Sequence, residues 1–186
     1  GGNSAQALKI HKGLLYRKKM NHYDLLELHK NLALDYYDDS LSAINELEAI
    51  LKLDKSNEWA IGYMVKIYCE IQQWSKAGEY LKKYQQLTNT TDKHKLALYK
   101  IQEGRSLIHK KKFNQSRQTF EDALNICSDI AAAYYFIGNA YSAESEEAYQ
   151  ESLQNDTIVS TEESNSSEQI EKAHALLGKA IPMWIR

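Results

Sequence analysis

Apolar residues recur along most of this 186-residue chain at intervals of three and four, the spacing that gathers them on one face of an α-helix. An aromatic residue or a leucine closes one such stripe, and a small residue opens the next about nine positions later. In the clearest stretch the run from Trp59 to Tyr68 is followed by Gln73, Trp74, Ser75, Lys76 and Ala77, and then by Tyr80, Leu81 and Tyr84 at helical spacing. A second stretch runs through Gly104, Leu107, Phe113, Ser116, Phe120 and Ala123. An earlier one joins Leu32 to Tyr36 with Ala43, Leu47, Ile50 and Leu51, and a later one joins Ala133 to Tyr141 with Glu171 to Ala180. The chain opens with only a second helix, from Ala7 to Leu15. The pattern predicts an all-α chain of four helical pairs plus a leading half-pair, folded as a single domain over residues 1–186.

One amphipathic hairpin cannot cover its own apolar stripe, so successive hairpins must stack, with small residues where their backbones approach. Ala77, Ser116, Ala123, Gly138 and Ala180 hold those positions. These residues resemble the tetratricopeptide repeat, whose unit is about 34 residues. Ala43 to Ala77 spans 34 positions and Leu107 to Tyr141 again 34, while Ala77 to Ser116 spans 39 and Ser116 to Ala173 spans 57. The resemblance implies a right-handed α-solenoid of stacked antiparallel helix pairs. Two segments, Ala7 to Arg17 and Ile67 to Ala77, further resemble the bacterial lipopolysaccharide assembly protein B family. That resemblance implies an upstream inner-membrane anchor, a cytoplasmic solenoid and a downstream module with paired cysteines, acting together as an adaptor that controls turnover of a lipid A enzyme.

Composition agrees with a helical reading. Pro182 is the single proline, and eight glycines leave little to interrupt a helical hydrogen-bond ladder. A net charge of −2 gives no basic field for nucleic acid. No apolar run of about 18 residues would cross a membrane, so direct insertion is not expected. Cys69 and Cys127 lie far apart in sequence and outside any CxxC, which fits a reducing compartment and a cytoplasmic location. The abrupt start after Gly1-Gly2-Asn3-Ser4 reads as a piece of a longer protein.

Chemistry-bearing motifs are missing. His11, His22, His29, His94, His109 and His174 form no HExxH and no zinc spacing with cysteine, so neither a metal nor another cofactor is expected. No GxSxG, GxxxxGK[ST] or GxGxxG motif occurs, and the chain reads as a non-enzyme.

In this repeat type the first helix of each pair lines the concave groove, and counting back from Tyr36, Tyr68, Leu107 and Tyr141 selects its residues. The count gives Glu27, Lys30, Leu34 and Tyr37 from the first full pair and Trp59, Gly62, Lys66 and Cys69 from the next. The later pairs give Leu98, Ile101, Arg105 and Ile108, then Ala132, Tyr135, Asn139 and Ser142. Apolar anchors interspersed with basic donors suit a protein or peptide partner with acidic groups. Leu34 and Ile101 replace the polar members that a terminal-carboxylate clamp would need. The alternative function is a structural module that self-associates into homo-oligomers through uncovered apolar ends.

Residues 143–170 differ in kind. From Ala143 to Glu171 the segment carries nine acidic residues and no basic one, with a Ser/Thr/Asn-rich middle from Asn155 to Ser167. Its composition predicts an acidic surface-loop insertion, with Glu144 to Gln154 prolonging the preceding helix and Ser166 to Gln169 restarting the next through a capping box.

Overall fold

Among the described residues, four helices begin on a side chain that accepts an otherwise unpaired backbone N–H. Asn21 Oδ1 accepts from the Asp24 N–H at 2.8 Å, Asp39 Oδ1 from Ser42 at 3.1 Å, Asn57 Oδ1 from Ala60 at 3.1 Å and Asp92 Oδ1 from Lys95 at 2.8 Å. Hydrogen bonds from the Ser42 hydroxyl and backbone N–H hold the Asp39 carboxyl below its ordinary range. The computed structural model describes residues 4–16, 20–36, 38–158 and 163–185. Among these it contains α1 (Ser4–Leu14), α2 (His22–Asp35), α3 (Ser40–Leu53), α4 (Glu58–Glu70), α5 (Trp74–Thr88), α6 (Lys93–His109), α7 (Phe113–Ile126), α8 (Ala131–Ile158) and α9 (Glu163–Ile185), with no strand.

The turns inside two of the pairs are the same structure. Gln73 N–H donates to Tyr68 O at 2.8 Å and Gln72 N–H to Cys69 O at 3.1 Å. Thirty-nine positions on, Lys112 N–H donates to Leu107 O at 2.9 Å and Lys111 N–H to Ile108 O at 2.8 Å. Both are left-handed helix ends, with φ of 57° at Gln72 and 58° at Lys111. So short a turn leaves the next helix only one place to go, antiparallel against its predecessor.

The chain divides after Thr91 into two compact units. In the first, α2 packs on α3 and α4 on α5, while α1 packs on α2 and α3 on α4. Its buried residues include Leu28 and Leu32 of α2, Leu47 and Ile50 of α3, Met64 and Tyr68 of α4, and Ala77 and Leu81 of α5. In the second, α6 packs on α7 and α8 on α9, with α7 also against α8. Its central cluster contains Ala97, Ile101, Phe120, Ala123, Ile130, Ala133, Ile137 and Ala140. All-α pairs of this build are the architecture that the periodicity predicted. The small residues expected at crossings, Ala77, Ser116, Ala123, Gly138 and Ala180, are all buried.

The segment at 143–170 departs from the loop expectation. Helix α8 continues to Ile158 and α9 begins at Glu163, three residues before the capping box. Ser145, Ala148 and Ser152 form a buried small-residue stripe on α8, and Ala173, Leu176 and Ala180 are buried on α9. The Ser145 hydroxyl donates to Ala173 O at 2.7 Å and fixes the crossing. Acidic residues here are answered from one hairpin upstream: Arg117 pairs with Glu144 at 2.7 Å and Lys111 with Glu147 at 2.6 Å. Composition read within the segment alone missed those partners.

Candidate functional site

The outward face of the first unit carries a run of rings and cations. Trp59 and Tyr63, one turn apart on α4, stack with centroids 5.1 Å apart and planes 9° from parallel. The Lys30 ammonium, brought from α2, lies 5.9 Å from the Trp59 ring, and the Lys66 ammonium lies 5.4 Å from the Tyr63 ring. Each cation is also tethered, Lys30 to Glu27 at 2.6 Å and Lys66 to Glu70 at 3.9 Å. Exposed pairs of this kind contribute at most about 1 kcal/mol, so they orient the ammonium groups more than they stabilise the fold. The Lys66 side chain keeps 62% of its surface in solvent.

Of the counted residues, Lys30, Trp59 and Lys66 lie along this run. Tyr63, which the count passed over, completes the run. Gly62 faces elsewhere, since a Cβ there would meet the Tyr84 ring of α5 at 3.3 Å. At that one turn of α4 the count is a residue off, taking Gly62 in place of Tyr63. An aromatic pair at i, i+4 was the available signal. Tyr37 lies outside the described residues.

In the second unit the expected residues separate. Ile101 is only 1% exposed and belongs to the core cluster, a correction to its groove assignment. Ile108 is partly buried and packs against the same cluster, leaving it little surface for a partner. Ile101 shares that cluster with Phe120, whose ring lies against Gly104, three positions further along α6. Leu98 and Tyr135 are exposed. The Arg105 guanidinium sits 5.1 Å from the Phe136 ring and donates to Gln102 Oε1 at 2.9 Å, while Tyr135 meets Phe136 edge-on at 5.2 Å. Asn139 Oδ1 accepts from the Trp184 indole N–H at 3.0 Å. That amide oxygen is already committed within the unit.

Two of the histidines have structural work. His11 Nδ1 lies 2.6 Å from Asp35 Oδ2, tying α1 to α2, and His29 Nδ1 lies 2.6 Å from Glu46 Oε2, tying α2 to α3. Cys69 and Cys127 form no disulfide. No helix among the described residues is long and apolar enough to cross a membrane.

No family model and no curated protein matches the chain. Solved structures of MamA are similar to it at a distance. One from Desulfovibrio magneticus RS-1 is 14% identical, with a TM-score of 0.40 over 98% of this chain and 86% of that one. A crystal structure of MamA is 18% identical, with a TM-score of 0.40 over 97% of this chain and 92% of that one.

Proposed function

We propose that the chain is a non-catalytic adaptor that binds a protein or peptide through the outward faces of its first-of-pair helices. The observation that carries this reading is the run Lys30, Trp59, Tyr63 and Lys66. Its four members come from two helices and present flat apolar rings with ammonium groups at either end. Both rings are half-buried, so a partner would meet the part of each that stays in solvent. Flat rings accept apolar side chains with little entropy loss, and flanking cations favour acidic neighbours. The matching partner is a peptide or helix with apolar anchors beside Asp or Glu. A cytoplasmic location fits the unpaired cysteines, and the lipopolysaccharide-assembly role is the narrower form of the proposal, supported by the two segments that resemble that family.

Selection from a displayed peptide library, followed by titration, tests the reading. Trp59→Ala should weaken the selected peptides by roughly 30-fold, the equivalent of an anchor of about 2 kcal/mol, with the melting temperature unmoved. Lys66→Glu should slow association and reduce its salt dependence. Lys82→Ala and Gln118→Ala, both exposed on second-of-pair helices, should bind as the parent does. Selection without acidic and apolar peptides, or Trp59→Ala binding as well as the parent, overturns the proposal.

A second reading has one observation behind it. Leu177, Ile181, Trp184 and Ile185 of α9 are exposed at helical spacing, a stripe suited to self-association.

A further inference from the structure

The second unit brings together three side chains that the sequence keeps apart. His94 lies in the first turn of α6, Cys127 ends α7, and Asp129 follows in the turn to α8. One ligand atom from each, an imidazole nitrogen, the thiol sulfur and a carboxylate oxygen, lies within 4.8 Å of the other two. Cys127 Sγ donates to Asp129 Oδ1 at 2.9 Å, so that pair is already in contact.

Each of the three hangs on anchored backbone. Ala97, one turn beyond His94, is fully buried, and Ile130, next to Asp129, is 3% exposed. Both belong to the unit's core cluster, and Cys127 itself packs against it. The turn is closed by Ile130 N–H donating to Cys127 O at 3.4 Å, while Cys127 N–H donates to Ala123 O at 2.9 Å. The backbone is fixed while the donor atoms stay accessible, with His94 and Asp129 exposed and Cys127 half-buried. Preorganised ligands on rigid elements are what a metal site needs from its scaffold.

We infer that His94, Cys127 and Asp129 form a binding site for one borderline divalent transition-metal ion, of which Zn²⁺ is the representative. The donor set decides the class. Thiolate and imidazole favour zinc and its neighbours, whereas magnesium and calcium take oxygen donors alone. Bonds of about 2.0 to 2.3 Å in a tetrahedral arrangement set ligand atoms roughly 3.3 to 3.8 Å apart, so the Cys127 and Asp129 donors need to part slightly and the widest separation to close by up to about 1 Å, within reach of side-chain rotation. Three protein ligands leave the fourth position open to water or to a donor from another molecule. Binding replaces the thiol proton, which leaves to solvent, and the thiolate bonds to the metal. Sequence spacing hid the site because His94 and Cys127 stand 33 positions apart, about one repeat.

The test uses the full chain and two probes, Zn²⁺ in competition with a chromophoric chelator and Co²⁺ read by absorption. The expected result is one equivalent bound and a thiolate-to-cobalt charge-transfer band. Cys127→Ser should abolish the band, and Cys69→Ser should leave it intact. His94→Ala and Asp129→Asn should each weaken Zn²⁺ by about tenfold or more, since even outer partners of a metal cost that much when lost. His94 and Asp129 are exposed and Cys127 is half-buried, and unchanged melting of the metal-free variants confirms that they fold. Absence of the band, its survival in Cys127→Ser, or Zn²⁺ affinity unmoved by His94→Ala overturns the inference.

Discussion

Ser116 and Gly104 are both small residues at helix crossings, yet they are small for different reasons. The Ser116 hydroxyl is fully buried and finds no hydrogen-bond partner among the described residues. An unpaired buried polar group costs about 1 to 3 kcal/mol, so removing the oxygen relieves a penalty. Ser116→Ala should therefore leave stability unchanged or raise it by about 1 kcal/mol, read as a higher denaturant midpoint with the same slope. A fall in the midpoint would mean that the hydroxyl has a partner. Gly104 has no positive φ that would demand glycine. A Cβ there would instead collide with Phe120 Cε1, on a ring that is itself fully buried and stacked on Phe136 at 5.8 Å. Gly104→Ala should cost about 1 to 3 kcal/mol, and unaltered unfolding would show that the ring can yield. Smallness at both positions was legible in the repeat pattern. Which of them answers to a ring and which carries an unanswered hydroxyl was not, because both depend on what the neighbouring helix brings.

At the scale of the element, the informative case is the long pair α8 and α9. A segment rich in Ser and Glu reads as loop when judged by the apolar surface it can bury, yet α8 is helical to Ile158. Two things reverse the balance. Small residues let the helices cross closely, as Ser145, Ala148 and Ser152 do, and Arg117 and Lys111 neutralise Glu144 and Glu147 from outside the segment. Ala148→Leu should thus overpack the crossing and lower stability by about 1 to 3 kcal/mol, whereas Gln150→Ala on the exposed face should change little. Equal melting of both variants would return residues 143–153 to the status of a tolerated insertion. Helix existence was legible wherever the apolar stripe was wide, as in α4 and α5. Register was less so: counting back from a single residue in each pair, Leu107 in one and Tyr68 in another, put Ile101 outside the core and passed over Tyr63, since a helical face is wide enough that one position decides which side a residue takes.

For the molecule as a whole, the two functional readings differ in what they ask of concentration. The adaptor reading uses the rings and cations of α2 and α4 and makes no use of α9. Self-association uses the stripe on α9, where Ile185 is 81% exposed, Ile181 49%, Trp184 42% and Leu177 39%. Single exposed apolar residues are ordinary, but four at helical spacing make a patch. Against association stands the cost of immobilising two molecules, some 4 to 15 kcal/mol, which a stripe of four side chains offsets only in part. A net charge of −2 adds little repulsion and so leaves the decision to that balance. The expected outcome in light scattering is a molar mass that stays at one chain, 21.4 kDa, as concentration rises. Ile181→Glu should then leave the mass unchanged, while Trp59→Ala should still reduce peptide binding. A mass that grows with concentration and returns to one chain in Ile181→Glu would make α9 an interface. Loss of peptide binding in that same variant, with Trp59→Ala binding normally, would move the partner surface from the first unit to the second.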